Sequence, residues 1–139
     1  MEESLDSIAI ELKVFAVLSD PDNIWMQGDL EILINGEKPY KDCDIIDSYI
    51  LQESLMKDGE HFIFSCCCGI PECSGWIKGI KVTHLENTVK WEDLNNNRTW
   101  YLEKNKIDED LKDINEEVKL FKKYFANKEI EYVGFGYNL

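Results

Sequence analysis

Long apolar runs and positive charge are both scarce in this sequence of 139 residues. No stretch approaches the roughly 20 apolar residues that a transmembrane helix needs. The 15 lysines and arginines are outnumbered by 28 aspartates and glutamates, which leaves a formal net charge of −13. Nucleic acids and anionic membrane surfaces attract basic proteins, so the composition argues against both as partners.

The sequence also lacks the usual signatures of catalysis. It has no phosphate-binding glycine loop, and its two histidines, His61 and His84, both fall on predicted strands among apolar residues. Cys67 or Cys73 could serve as a nucleophile with one of these histidines as its base. A histidine in such surroundings is more often structural, so we predict that the protein is not an enzyme.

The composition is that of a folded intracellular domain. An apolar fraction of 44% is too high for a disordered chain, and the length suits one domain spanning residues 1–139. The acidic N-terminus, Met1 to Ser4, does not resemble a signal peptide. An odd number of cysteines, five, with four in one short segment, argues against a disulfide framework. We therefore expect a cytoplasmic location.

Apolar residues recur with strand or helix periodicity along most of the chain. Alternation predicts strands over 8–18 and 29–34, with Trp25 in the loop between them, and Asn35-Gly36 is a hairpin signal. Asp44 or Asp47 could cap a helix over about 46–57. Further segments are predicted as strands at 61–66, 76–85, 88–91 and 99–103, a long helix at 107–126, and an edge strand at 130–137. This order favours an α+β domain, an antiparallel sheet of about five to seven strands with two helices.

The segment from Cys66 to Gly75 contains four of the five cysteines. Cys66, Cys68 and Cys73 could supply three of the four ligands that zinc prefers. His84 is the best candidate for the fourth, and the remaining cysteines, Cys43 and Cys67, are the alternatives. The competing interpretation is that these thiols are small buried apolar groups beside a Gly-Pro turn.

The string Cys66-x-Cys68-Gly69-x3-Cys73-x-Gly75 resembles the post-SET zinc cradle of lysine methyltransferases. In that family the three cysteines bind zinc and the fourth ligand comes from the catalytic domain. The resemblance covers about ten residues, and the upstream Asn-His-x-Cys ligand motif of the family is missing here. It implies a zinc knuckle and does not imply methyl transfer.

A longer pattern, Phe62-x-Phe64-x-Cys66-x-Cys68-Gly69-x3-Cys73-x-Gly75 followed by strands ending at Trp91, is similar to a group of small acidic bacterial proteins. Most members of that group are uncharacterised, and some resemble immunity proteins of toxin systems. The resemblance implies a non-catalytic protein that binds and neutralises a cognate toxin.

The negative charge is concentrated in the first 60 residues, which contain 15 acidic and 4 basic side chains. We predict that these acids form a surface for a basic protein partner such as a toxin, with Trp25 as an anchor, and that they occlude its active site. The predicted partner-binding residues are Asp20, Asp22, Trp25, Asp29, Glu31, Asp42, Asp44 and Asp47. The alternative prediction is a small structural zinc-knuckle domain with another binding role.

Overall fold

The structure is a computed structural model that describes residues 5–20 and 22–134. Two α-helices, α1 (Ser48–Ser54) and α2 (Lys104–Ala126), and a short 3-10 helix (Pro71–Ser74) accompany nine strands. The strands are β1 (Ile8–Asp20), β2 (Asn23–Ile34), β3 (Asp44–Ile46), β4 (Gly59–His61), β5 (Phe64–Cys66), β6 (Ile80–His84), β7 (Thr88–Asp93), β8 (Arg98–Glu103) and β9 (Glu131–Gly134). The predicted α+β class is therefore confirmed.

The strands form three sheets in the described part of the chain. Their orders are β1-β2-β9, β3-β5 and β4-β6-β7-β8, and every pairing is antiparallel except that of β9 with β2. The largest sheet therefore has four strands, where the sequence pattern predicted one sheet of about five to seven. The two helices also lie on different sheets, since α2 packs on β1 and β9 and α1 contacts β4.

Strands β1 and β2 form a long hairpin whose even-numbered side chains face α2 and the core. Ile8 and Ile10 of β1 are buried opposite Ile34 and Ile32 of β2, as the alternation predicted. Burial fades towards the tip of the hairpin, where Leu18 is 62% exposed. Trp25 lies on β2 and not in a loop, because β2 begins six residues earlier than the sequence pattern indicated.

The Asn35-Gly36 turn has the backbone that a type I′ hairpin requires. Both residues have positive φ, 53° and 81°, and Ile34 and Glu37 exchange their two backbone hydrogen bonds across it. The chain that returns does not continue as a strand. Instead, the Tyr40 hydroxyl oxygen accepts a hydrogen bond from the Ile32 N–H at 3.1 Å. This bond satisfies the backbone of β2 past the residues that pair with β9.

The segment predicted as one strand over 61–66 is divided into β4 and β5, which belong to different sheets. The break follows His61, whose carbonyl accepts the Ile63 N–H at 2.9 Å in a three-residue turn. Ile63 and Phe64 are consequently both buried, although strict alternation would place them on opposite faces. The same region contains the aromatic core, in which Phe64 packs against Trp76 and Trp91.

The second half of the fold largely follows the sequence pattern, although the strand predicted over 76–85 is observed only over Ile80–His84. Trp100 and Leu102 are both buried on β8, and α2 buries Ile107, Ile114 and Val118 of its predicted apolar stripe. The predicted edge strand is confirmed at Glu131–Gly134, while residues 135–137 lie outside the described residues. No α-helix of the described residues is long and apolar enough to cross a membrane.

Candidate functional sites

The cysteine loop is a compact turn between β5 and the 3-10 helix. Gly69 has a φ of 90° and donates its N–H to the Cys66 carbonyl, so the chain reverses directly after Cys68. Pro71 begins the 3-10 helix and Gly75, with a φ of 88°, ends it in the left-handed conformation. Only glycine adopts such positive φ values at little cost, which explains the spacing of the motif.

The turn gathers all five cysteines, including Cys43 from a separate segment. The thiol of Cys66 interacts electrostatically with those of Cys67 and Cys68, and the thiol of Cys73 interacts with that of Cys68. Cys43 joins them because Asp44, its neighbour, pairs with Cys66 in the β3–β5 sheet. We call these five residues the thiol cluster. All five are free thiols, and only Cys66 is partly shielded from solvent.

The pKa of Cys66 is lowered by its position in the turn. The backbone N–H of Cys68, followed by the side chains of Ser74 and Cys68, stabilises its thiolate and lowers the pKa of Cys66 from 9.0 to about 7. The charge of Cys66 in turn raises the pKa of Cys67, and the thiol of Cys68 raises that of Cys73. The pKa of Cys66 therefore moves in the opposite direction from the pKa values of Cys67 and Cys73.

Asp44 anchors the thiol cluster to the core. Its Oδ1 accepts the Ser74 hydroxyl at 2.5 Å, and its Oδ2 accepts the Trp76 Nε1–H at 3.0 Å and the Lys41 N–H at 3.1 Å. Asp44 is only 8% exposed. The sequence pattern predicted Asp44 as a partner-binding or helix-capping residue, and the structure shows a carboxylate that is already hydrogen-bonded on both oxygens.

His84 lies at the end of β6 that is farther from the cysteine loop. Its Nε2 is 2.8 Å from the Ser54 carbonyl, and its backbone N–H donates to Asp58. Cys43 and Cys67, by contrast, are members of the cluster. Within residues 5–20 and 22–134, no three His, Cys, Asp or Glu side chains are arranged so that they could hold a metal ion. Any metal site would therefore need thiols of the cluster to reorient.

The other predicted acidic residues have different surroundings. Asp20 and Asp22 are exposed at the tip of the β1–β2 hairpin, where Asp20 accepts the Asp22 N–H. Asp42 is exposed and lies 3.7 Å from Lys38. Asp47 caps α1 by accepting the N–H groups of Tyr49 and Ile50, which confirms one of the two predicted caps.

Trp25, Asp29 and Glu31 share one face of the three-stranded sheet, the face opposite α2. Odd-numbered residues of β1 and β2 point to this side, and the parallel register adds Glu131 and Val133 of β9. We call this surface the open sheet face, and none of its side chains is fully buried. Its residues are Glu11, Lys13, Phe15, Val17, Trp25, Gln27, Asp29, Glu31, Glu131 and Val133.

The open sheet face has an apolar centre between acidic residues. Phe15 is 41% exposed and Val133 is 37% exposed, and Trp25 is half-buried beside them. Glu131 is paired in register with Trp25 at one end, while Glu11 and Glu31 pair with each other at the other end. Burial raises the pKa of Asp29, and a hydrogen bond from Gln27 partly opposes that shift.

The sequence pattern did not identify Phe15, Val133 or Glu131 as parts of these sites, and it named Cys43 only as an alternative fourth zinc ligand. The register of β1 with β2 follows from the hairpin alternation, so Phe15 could have been placed opposite Gln27 on the acidic face. The parallel pairing of β9 has no comparable local signal, and neither does the approach of Cys43 to a loop more than 20 residues away.

Comparison with protein-family models, with curated protein sequences and with solved structures gives no match for this chain.

Proposed function

We propose that this protein is a non-catalytic acidic binding protein, and most concretely an immunity protein that neutralises a cognate toxin by occlusion. The observation that carries the proposal is the open sheet face. It combines an exposed aromatic and apolar centre with carboxylates on both sides, and no helix of the described residues covers it. Interfaces commonly have such an apolar centre with a polar rim, and tryptophan is a frequent anchor there.

The chemistry of the face suits a basic partner. Glu11, Glu31 and Glu131 extend from the face, and Asp20 and Asp22 extend beyond Trp25 at the hairpin tip. Lys13 is the one basic residue among those that define the face, and it is paired with Glu11 at 3.2 Å; Lys38, from outside the face, lies 3.9 Å from Glu31. These carboxylates would occupy the positions that substrate phosphates take in a basic active site. Charge complementarity of this kind accelerates association and excludes other partners.

Reversing the charge of the face should weaken the complex. The double variant Asp22→Lys, Glu31→Lys changes one carboxylate at the hairpin tip and one at the opposite end of the face, and we expect about a 100-fold loss of affinity. The slope of affinity against ionic strength should also become shallower, because fewer attractive charges remain to be screened. Isothermal titration calorimetry at two salt concentrations measures both effects.

The partner for this titration must first be identified by native mass spectrometry of the untagged protein from its own cells at low salt. It qualifies if it is a basic polypeptide whose enzymatic activity this protein inhibits. The matched control, Asp113→Lys, Glu116→Lys, makes the same change of charge on exposed positions of α2, away from the open sheet face. Equal affinities for the two double variants would contradict the proposed surface.

A structural zinc knuckle is the second candidate, and the convergence of five thiols at one turn favours it. Cys66, Cys68 and Cys73 would be three ligands, as the motif spacing predicts. The fourth would be Cys67 or Cys43, because both lie in the cluster while His84 is bonded to Ser54 elsewhere. A ligand from Cys43 would join the segment before β3 to the cysteine loop.

Single substitutions distinguish these ligand sets. If zinc binds, Cys66→Ser, Cys68→Ser and Cys73→Ser should each abolish the zinc mass increment in a native mass spectrum and lower the thermal midpoint. One of Cys43→Ser and Cys67→Ser should do the same, and His84→Gln should retain the metal. A wild-type protein that shows no zinc increment after refolding with equimolar zinc would eliminate this candidate.

A further inference from the structure

A cavity of about 550 Å³ opens beside the thiol cluster, where three separated segments of the chain meet. Residues 38–41 form one wall, residues 74–76 and Asp44 form another, and the turn between β7 and β8 forms the third. The volume lies within the range of small-molecule sites, which are commonly 300–1,000 Å³. The cavity is distinct from the open sheet face, since no residue lines both.

The lining of this cavity has the opposite charge to the rest of the protein. Three of the 15 basic residues, Lys38, Lys41 and Arg98, line it, although the net charge of the chain is −13. Asp44 is the only carboxylate in the lining. Both of its oxygens already accept hydrogen bonds from the protein, so Asp44 has little capacity to bind the three cations in place of a ligand.

Arg98 is held rigidly with part of its guanidinium group free. Its Nε and Nη2 donate to the fully buried Asp93 at 3.2 and 2.6 Å, and Nη2 also donates to the Pro39 carbonyl at 3.0 Å. The guanidinium carbon lies 5.0 Å from the centre of the Trp100 ring. Nη1 has no hydrogen-bond partner among the described residues, so a fixed cationic donor remains available.

The two lysines complement this donor. Lys41 Nζ donates one proton to the Ser74 carbonyl at 3.0 Å, which leaves two ammonium protons for another acceptor. Lys38 Nζ forms long ion pairs with Asp42 at 3.7 Å and with Glu31 at 3.9 Å, so it adds positive charge to the lining without being a free donor. Tyr40 and Trp76 add two aromatic rings to the lining.

We propose that this cavity binds a small organic anion, a phosphate or carboxylate attached to a flat apolar group. The anionic group would accept hydrogen bonds from Arg98 Nη1 and Lys41 Nζ, and the charge of Lys38 would add to the attraction. The flat group would lie against the half-buried Tyr40 ring, which stacks on Phe64 at a centroid distance of 5.1 Å, while the buried Trp76 forms part of the cavity wall. This inference is independent of the proposed toxin binding.

Phenyl phosphate and benzoate are suitable probes, because each combines one ring with one of the two anionic groups. In ¹H–¹⁵N spectra of the full protein, we expect saturable shifts of the Trp76 indole and Arg98 Nε signals with at least one probe. Inorganic phosphate should bind more weakly for lack of a ring, and neutral benzyl alcohol should not shift the Arg98 signal. The comparison of the two anions identifies which anionic group the cavity accepts.

Lys41→Gln should weaken binding of the better probe about tenfold, since it removes one charge-assisted hydrogen bond. Arg98→Gln would also unpair the buried Asp93, so the lysine variant is the decisive one. Lys112→Gln removes the same charge from an exposed position on α2 and should leave the affinity unchanged. The proposal is overturned if neither anion gives a saturable shift at Trp76 and Arg98 in the millimolar range, or if Lys41→Gln and Lys112→Gln bind equally well.

Discussion

Replacing Asp93 by asparagine is expected to lower the free energy of unfolding by about 3 kcal/mol, because it leaves the Arg98 guanidinium without its counter-ion. Asp93 is 0% exposed and accepts hydrogen bonds from Arg98, from the Asn95 and Asn96 backbone N–H groups and from the Asn96 side chain. Breaking a fully buried ion pair costs more, but Arg98 retains 39% side-chain exposure and can recover some hydration.

The loss should depend on pH in a defined direction. Burial alone would raise the pKa of Asp93, but the hydrogen bonds from Asn96 and Arg98 and the positive charge of Arg98 outweigh burial and hold it below 3.8. A carboxyl group with a lowered folded-state pKa stabilises the protein above its ordinary pKa, and that stabilisation disappears as the pH falls through the folded-state value. The difference between wild type and Asp93→Asn should therefore be full at pH 7 and shrink below about pH 4.

Urea denaturation followed by tryptophan fluorescence at several pH values measures this difference. Asp113→Asn is the matched control, an exposed aspartate on α2 without a hydrogen bond or ion pair in the described part of the chain, and it should change stability by less than about 0.5 kcal/mol. A pH-independent loss for Asp93→Asn would show that the carboxylate charge does not contribute.

Replacing Asp44 by alanine is expected to cost about 3 kcal/mol of folding free energy and to release the cysteine loop from the core. Asp44 accepts three hydrogen bonds, and the substitution leaves the buried Trp76 Nε1–H without its acceptor. The Ser74 hydroxyl also loses its shortest bond, so the 3-10 helix should lose its fixed position. Thermal unfolding and the line width of the Trp76 indole resonance report these two effects.

Asp42→Ala is the matched control for Asp44→Ala. Asp42 lies two residues away, its side chain is 94% exposed, and its one ion pair with Lys38 is long, so we expect less than about 0.5 kcal/mol of change. Both residues were predicted from sequence to bind a partner. If the two variants were equally stable, the hydrogen bonds of Asp44 would not anchor the loop as described.

The regular parts of the fold could be predicted because residues close together in the sequence specify them. Alternation identified β1, β8 and the buried residues of β2, the Asn35-Gly36 pair identified the type I′ turn, and a stripe of period 3.6 identified α2. Each of these features depends on neighbouring residues only. The same is true of the motif glycines, Gly69 and Gly75, which adopt the positive φ values that a tight turn needs.

The division of the strands into three sheets could not be predicted in the same way. The turn at His61 to Ile63 separates β4 from β5 although the apolar pattern continues through it, because packing of Phe64 against Trp76 and Trp91 determines where the chain turns. Trp25 was assigned to a loop because it falls between the strands predicted over 8–18 and 29–34, whereas pairing with β1 and β9 makes it part of a strand.

By itself, the sequence determined the α+β class, the acidic character, the long amphipathic helix and the glycine-framed cysteine turn, since composition and local periodicity specify them. Only the tertiary structure decided that Cys43 joins the other thiols, that Asp44 faces inward, that Glu131 lies beside Trp25, and that Lys38, Lys41 and Arg98 share a cavity. These groupings join residues far apart in the chain, and they arise from strand register and core packing, which no local pattern encodes.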